Sequence, residues 1–336
     1  MKSRFALGAI AALLSLNAAA AELRVATHES FSLSKELIAD FEKQSGVKLV
    51  IIKAGDTGEL VNKLILTRAK PIADMVYGVD NTLVAKAVKA GIVEPYNGPA
   101  AKAPTRASLP GGVVAVDYGY VTLNYDKAWF AKRKLALPKS LDDLTRPEYK
   151  DLLLVQNPAT SSPGYAFLAA TIAGMGEEGA FAWWGKMRQN GVKVTKGWSD
   201  AYYTDFSKSG GARPLVVSYA TSPASEVFYA KEKLSESPTG NLFLKGGVFR
   251  QVEGAALLKG GAEREAAGRF IEFLRSPAVQ KDLQTRMWMY PADSRTAPAP
   301  ELAHAAEPAS FDNPSPEVLD AKGAAWVARW TRVVLK

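Results

Sequence analysis

From residue 23 onward, short runs rich in β-branched residues alternate with stretches whose apolar residues recur every three or four positions. Residues 23–27, 47–53 and 74–77 carry the first pattern. Residues 35–44, with Leu37, Ile38 and Phe41 on one face, and 58–68, with Leu60, Leu64 and Ile65 in a stripe, carry the second. Strand, helix, strand, helix predicts a parallel sheet with helices on its faces, an α/β architecture. Asn81 stands where it could cap a helix running to Lys89. At about 150 residues per domain, 336 residues are enough for two such units.

The second half repeats this grammar after an extended stretch at 111–125. Residues 152–156, 192–195 and 215–219 read as strands, and each leads straight into a helix start. The three starts are Thr160-Ser161-Ser162-Pro163, Gly197-Trp198-Ser199-Asp200 and Thr221-Ser222-Pro223. Serine or threonine ahead of a first-turn proline is the ordinary chemistry of helix initiation, so capping is expected at all three. In open α/β sheets, however, ligands sit beyond the carboxyl ends of strands, where helix amino ends offer free N–H groups. Three such junctions in one half point to a ligand cleft. Further on, 251–258 reads as a strand, and 263–274 as an amphipathic helix with Ala267, Phe270, Ile271 and Leu274 inward. A shorter helix at 277–285 and a closing helix at 316–334 follow, with the Pro- and Ala-rich stretch between them expected to be a surface connection.

The first residues belong to a different grammar. Met1-Lys2-Ser3-Arg4 is basic, residues 5–16 are apolar, and Ala18 to Ala21 supply small residues for cleavage, so residues 1–21 read as a secretory signal peptide. A membrane anchor would need about 20 apolar residues and a basic stop after them. The chain has no cysteine, which suits an oxidising compartment and excludes disulfides, thiolate metal sites and a cysteine nucleophile. With only two histidines, His28 and His304, a multi-histidine metal site is impossible. Phosphate loops, nucleophile elbows and zinc-protease helices are absent. The net charge of +8 comes from dispersed Lys and Arg without a basic run, so no nucleic-acid partner is expected.

Five strings then fall in order along the chain: Val116-Asp117-Tyr118-Gly119-Tyr120, the stretch from Gln156 to Gly164, the stretch from Val194 to Tyr202, Ser218 to Pro223, and Trp288-Met289-Tyr290-Pro291. Together they resemble the periplasmic thiamine-binding proteins of bacterial ABC transporters, over nearly the whole chain beyond the signal. The resemblance implies the type II periplasmic binding protein fold, two α/β lobes with a ligand cleft between them. The lobes would be 22–115 with 249–291, and 116–248 with 292–336. It implies a periplasmic, monomeric protein that takes up thiamine or a thiamine phosphate without a cofactor and delivers it to membrane permease subunits. Carried over residue by residue, the ligand contacts fall on Asp56, Thr57, Ser161, Ser162, Trp198, Tyr219, Ala220, Thr221, Ser222, Pro223 and Trp288. Two positions depart from the family: His28 stands where an aromatic can close the first strand, and no tryptophan occurs among residues 31–37.

These residue types suit thiamine, whose thiazolium is a permanent flat cation. Aromatic faces hold such a cation at roughly 0.5–2 kcal/mol each, and a carboxylate such as Asp56 could pair with it. Core packing is the ordinary fate of a large aromatic. Position at strand ends favours a ligand role for Trp198 and Tyr219, whereas Trp288, between Met287 and Met289, fits either role. Asp56, in Gly55-Asp56-Thr57-Gly58, also suits a turn or cap. Ferric iron is the alternative ligand in this fold, with His28 and Asp80 as tempting positions. Against it, the strand end reads Tyr219-Ala220, without a second tyrosine, and neighbours Tyr202 and Tyr203 on a helix point about 100° apart. A hydrolase or transferase acting on thiamine would want a nucleophile paired with a base, and no such pair is evident.

Overall fold

A computed structural model describes residues 21–336. The expected signal peptide, apart from Ala21, lies outside the described residues. The strands are β1 (Glu22–Thr27), β2 (Lys48–Lys53), β3 (Met75–Asp80), β4 (Val93–Glu94), β5 (Val114–Asp126), β6 (Leu153–Gln156), β7 (Lys193–Thr195), β8 (Leu215–Tyr219), β9 (Thr239–Leu242), β10 (Phe249–Leu258) and β11 (Tyr290–Pro291). The helices are α1 (Lys35–Ser45), α2 (Thr57–Leu66), α3 (Val84–Lys89), α4 (Pro99–Lys102), α5 (Lys127–Arg133), α6 (Ser162–Met175), α7 (Glu177–Gln189), α8 (Trp198–Asp200), α9 (Ser222–Phe228), α10 (Arg264–Leu274), α11 (Pro277–Arg286) and α12 (Pro316–Trp330).

The main sheet runs β2-β1-β3-β10-β5-β8-β6-β7. At one end β1 pairs parallel with β2 and β3, and at the other β6 pairs parallel with β7 and β8. Between them lie the two longest strands, β5 and β10, antiparallel to each other. They cross from one α/β lobe to the other. Both are buried along nearly their whole length, which explains why the 111–125 stretch reads as continuous β-type sequence.

Two large apolar clusters cover the sheet. In the first, Leu23, Val25, Phe41, Leu49, Met75, Phe270 and Ile271 pack together, with α1 and α10 covering the sheet. In the second, Phe167, Trp183, Trp184 and Trp330 stack edge to face beneath α6, α7 and α12. α12 reaches both lobes: Asp320 pairs with Lys89 of α3 at 2.7 Å, and Lys322 pairs with Glu177 of α7 at 3.1 Å. Likewise, the segment after β11 follows 104–107, where Thr105 bridges to Asp293.

Two local expectations need correction. Asn81 does not cap α3, which has no side-chain cap; Asp80 Oδ1 accepts from the amides of Thr82 and Leu83 at 3.0 and 3.1 Å in the turn ahead of it. Asn81 instead clamps β10, donating to Arg250 O and accepting from Val252 N. None of the three strand-to-helix junctions is closed by a side-chain cap. At the second, α8 lasts one turn before a wider π-type turn over Ala201–Asp205. The 295–316 connection runs over the surface as expected, pinned by buried Leu302 and by Asp312, which accepts from Gly246 N at 2.8 Å.

Candidate ligand-binding site

A cavity of about 470 Å³ opens between the lobes at the carboxyl ends of the strands. Asp56, Thr57, Ser162, Trp198, Tyr219, Thr221, Ser222 and Trp288 line it. Ser161, Ala220 and Pro223 do not; all three are buried just behind the wall. Ser161 sits beside the Asp56 carboxylate, and Ala220 N donates to Tyr120 O on the crossing strand, fixing the end of β8.

The hydroxyls freed from capping are spent on the cleft. Thr221 Oγ1 donates to Trp288 O at 2.6 Å, tying the start of α9 to the loop that carries the tryptophan. That loop is sharply turned, since Trp288 has φ of +56°, a left-handed conformation costly for a bulky residue. Its indole N–H is buried and has no partner among the described residues. Ser218 Oγ accepts from Trp198 Nε1 at 2.9 Å and lies the same distance from Ser222 Oγ. Trp198 is thereby held half-buried, with Tyr202 stacked on it at 5.1 Å and Tyr219 edge-on at 6.2 Å.

Beneath this aromatic wall lies an acidic floor that the sequence reading did not assemble. Asp56 comes from the turn before α2, Asp80 from the end of β3, Asp117 from β5 and Glu253 from β10. Tyr77 donates to Asp117, and its hydroxyl also lies 3.4 Å from Glu253 Oε2. Gln251 ties the floor to the wall. Its Nε2 donates to Asp80 at 3.0 Å and to Ser162 and Glu253 at 3.1 Å, while its Oε1 accepts from Tyr219 at 3.0 Å. Burial lifts the Asp80 carboxyl to about 7 and pushes Asp117 well above the usual carboxylate range, with Glu253 adding repulsion to both. Asp56 is also raised by burial, against the opposing pull of Ser161 and Thr57 N. Facing these acids is His28, whose Nε2 lies 3.5 Å from Glu253 Oε2.

The floor had a signal in the sequence. Asp117 and Glu253 are acids inside otherwise apolar strand runs, where an unpaired charge is costly and so marks a site. The rim was missed as well. Tyr203 packs against Trp198, and Phe228 and Tyr229 pack against Trp288; all three are exposed at the cleft mouth. No three His, Asp or Glu side chains among the described residues converge as a metal site would require.

Comparison with known proteins matches residues 70–321 to the family described as bacterial extracellular solute-binding protein. The chain belongs to that family. It is a family of binding proteins, not an enzyme class. The thiamine-binding periplasmic protein of Escherichia coli (strain K12) is 34% identical over 299 residues, 88% of this chain and 86% of that protein. Its counterpart in Salmonella typhimurium is 33% identical over 321 residues, covering 93% of both. A solved periplasmic thiamin binding protein superposes with a TM-score of 0.81 at 29% identity, over 93% of this solute-binding protein and 96% of its own chain. The fold is that of a type II periplasmic binding protein, with the cleft at the junction of its two α/β lobes.

Proposed function

We propose that this solute-binding protein captures thiamine in the cleft and hands it to the permease of an ABC transporter. The observation that carries the reading is the acidic floor under an aromatic wall. A permanent, flat cation meets both needs at once: the ring faces of Trp198, Tyr219 and Trp288 attract it, and Asp56 and Glu253 neutralise it where water is excluded. Relatives that carry thiamine in their names and match over nearly the whole chain support the same ligand.

The hydroxyethyl tail, or a phosphate on it, would face Ser162, Thr221 and Ser222, whose hydroxyls border the aromatic wall. No cofactor is needed for capture, and we take the protein to act as a monomer in the periplasm after removal of residues 1–21. The lobes would be 22–115 with 249–291 and 116–248 with 292–336, hinged at the crossing strands. Ferric iron is less well supported. Tyr219 is hydrogen-bonded to Gln251, Tyr202 to Glu226, and their hydroxyls are engaged with separate partners.

Calorimetric titration of ligand-free mature protein with thiamine tests the proposal. Saturable one-to-one binding is expected, and heats indistinguishable from dilution at micromolar protein would refute it.

A further inference from the structure

His28 lies at the cleft wall, and the fold makes room for it. The ring lies over Gly78, where a Cβ would come within 2.3 Å of His28 Cδ2, and Gly78 has φ of +96°, which only glycine adopts without strain. The residue follows β1 directly and is 7% exposed. From β10, Glu253 faces it at 3.5 Å; from β3, Tyr77 lies 5.6 Å away ring to ring and leads on to Asp117 of β5. Asp56, ahead of α2, attracts it, and Lys53 at the end of β2 opposes it. Acids therefore dominate its surroundings.

We propose that thiamine entering the cleft displaces a proton from His28, so that capture of the cation and release of that proton are one exchange. This rests on the thiamine reading of the site. Without ligand, the imidazolium is the cation that Glu253 and Asp56 hold. Burial alone would discharge it, but those carboxylates outweigh burial and keep it protonated above the ordinary histidine range. When a thiazolium arrives, two cations compete for the same carboxylates in a site with little water to screen them. The thiazolium cannot lose its charge and His28 can. Among the described residues the only other cationic side chain lining the cavity, Lys208, is already engaged by Glu226. Linkage then requires that whatever factor thiamine imposes on proton binding, protons impose on thiamine binding.

The two histidines of the chain, His28 and His304, make the test direct. Imidazole NMR resonances of the mature protein are followed from pH 5 to 9, with and without saturating thiamine. The His28 midpoint should fall by at least about one unit on binding while that of His304 stays fixed, and thiamine Kd should drop about tenfold or more between pH 5.5 and 8. A His28 midpoint that is unmoved or raised by thiamine overturns the exchange. In His28→Gln the pH dependence of Kd should flatten; if it persists at full size, the proton comes from Asp80 or Asp56 and the proposal fails. Absence of thiamine binding at any pH would instead remove the thiamine reading on which it stands, whereas binding with an unmoved His28 removes the exchange alone.

Discussion

Asp56 joins the two lobes by a single carboxylate: Oδ1 accepts the amide of Thr57 at 2.8 Å to cap α2, and Oδ2 accepts the amide of Trp198 at 3.2 Å on the far side of the cleft. Beside it, Glu59 N donates to Thr160 O at 3.2 Å and Glu59 pairs with Lys196 at 2.8 Å. The first lobe therefore meets the second at the amino end of α2, next to the cavity. The proposed ligand contact and the lobe contact share the same residue.

Asp56→Asn keeps only one of these bonds, because an amide has a single acceptor oxygen: the cap on Thr57 N survives, and the charge and the acceptor for Trp198 N are lost together. Asparagine caps a helix about as well as aspartate, and its carbonyl can still accept from Thr57. The charge facing the ligand is lost. Thiamine affinity should fall about tenfold or more, in line with roughly 1.5–3 kcal/mol for a hydrogen bond to a charged group. Thermal unfolding of the ligand-free variant should match the parent closely. A full-strength binding isotherm would show that Asp56 is structural only.

Gly58→Ala acts on closure. A Cβ at residue 58 would lie 2.6 Å from the backbone carbon and oxygen of Thr160, atoms that cannot swing aside. Overpacking of this kind costs about 1–3 kcal/mol where it cannot relax, and here it can relax by parting the lobes. Small-angle scattering should show a larger radius of gyration with thiamine present than the parent has. An identical radius in both proteins would mean that the lobes do not approach at this point.

Trp198→Ala should weaken thiamine binding at least about tenfold, since it removes a cation-facing ring and the stacking partner of Tyr202. Trp198 is only half-buried, so the fold should survive, as circular dichroism would report. An unchanged dissociation constant in calorimetry would take Trp198 out of the site.

The alternation of strand and helix was legible because parallel strands buried on both faces, and helices buried on one, impose different apolar periods. Residues 23–27, 35–44 and 263–274 each differ from the observed element by one residue at one end. α7 was not legible: Phe181, Trp183, Trp184 and Met187 are all buried, and Glu177 and Glu178 begin the helix without a recognisable cap. In the site, junction residues such as Trp198 and Tyr219 announced themselves by position. The acidic floor did not, because Asp80, Asp117 and Glu253 are far apart in sequence and meet only where β3, β5 and β10 lie side by side. Capping was inferred where it does not occur, since Thr221 Oγ1 bonds Trp288 O and Ser222 Oγ lies against Ser218 Oγ rather than against their own helix amides.

The same floor sets how stability varies with pH. An Asp in an unfolded chain titrates near 4, whereas burial lifts Asp80 to about 7 in the folded protein. Between those values the folded state holds a proton that the unfolded state has lost, so stability falls as pH rises through the window and levels off above it. Asp117 and Asp56, both raised, act in the same direction. His28, with a folded value above its unfolded one, contributes stability that is complete below about pH 6.5 and is lost as pH climbs through the folded value. Asp293, held below the usual range by Arg295, works the other way, but only where pH falls below about 4. Ligand-free protein should therefore melt at a higher temperature at pH 5.5 than at pH 8, and Asp80→Asn, which leaves no titrating group at that position, should shrink the difference. Scanning calorimetry across pH 5–8 measures it, and a melting temperature that rises with pH over that range would mean the floor is ionised at no cost, against its burial.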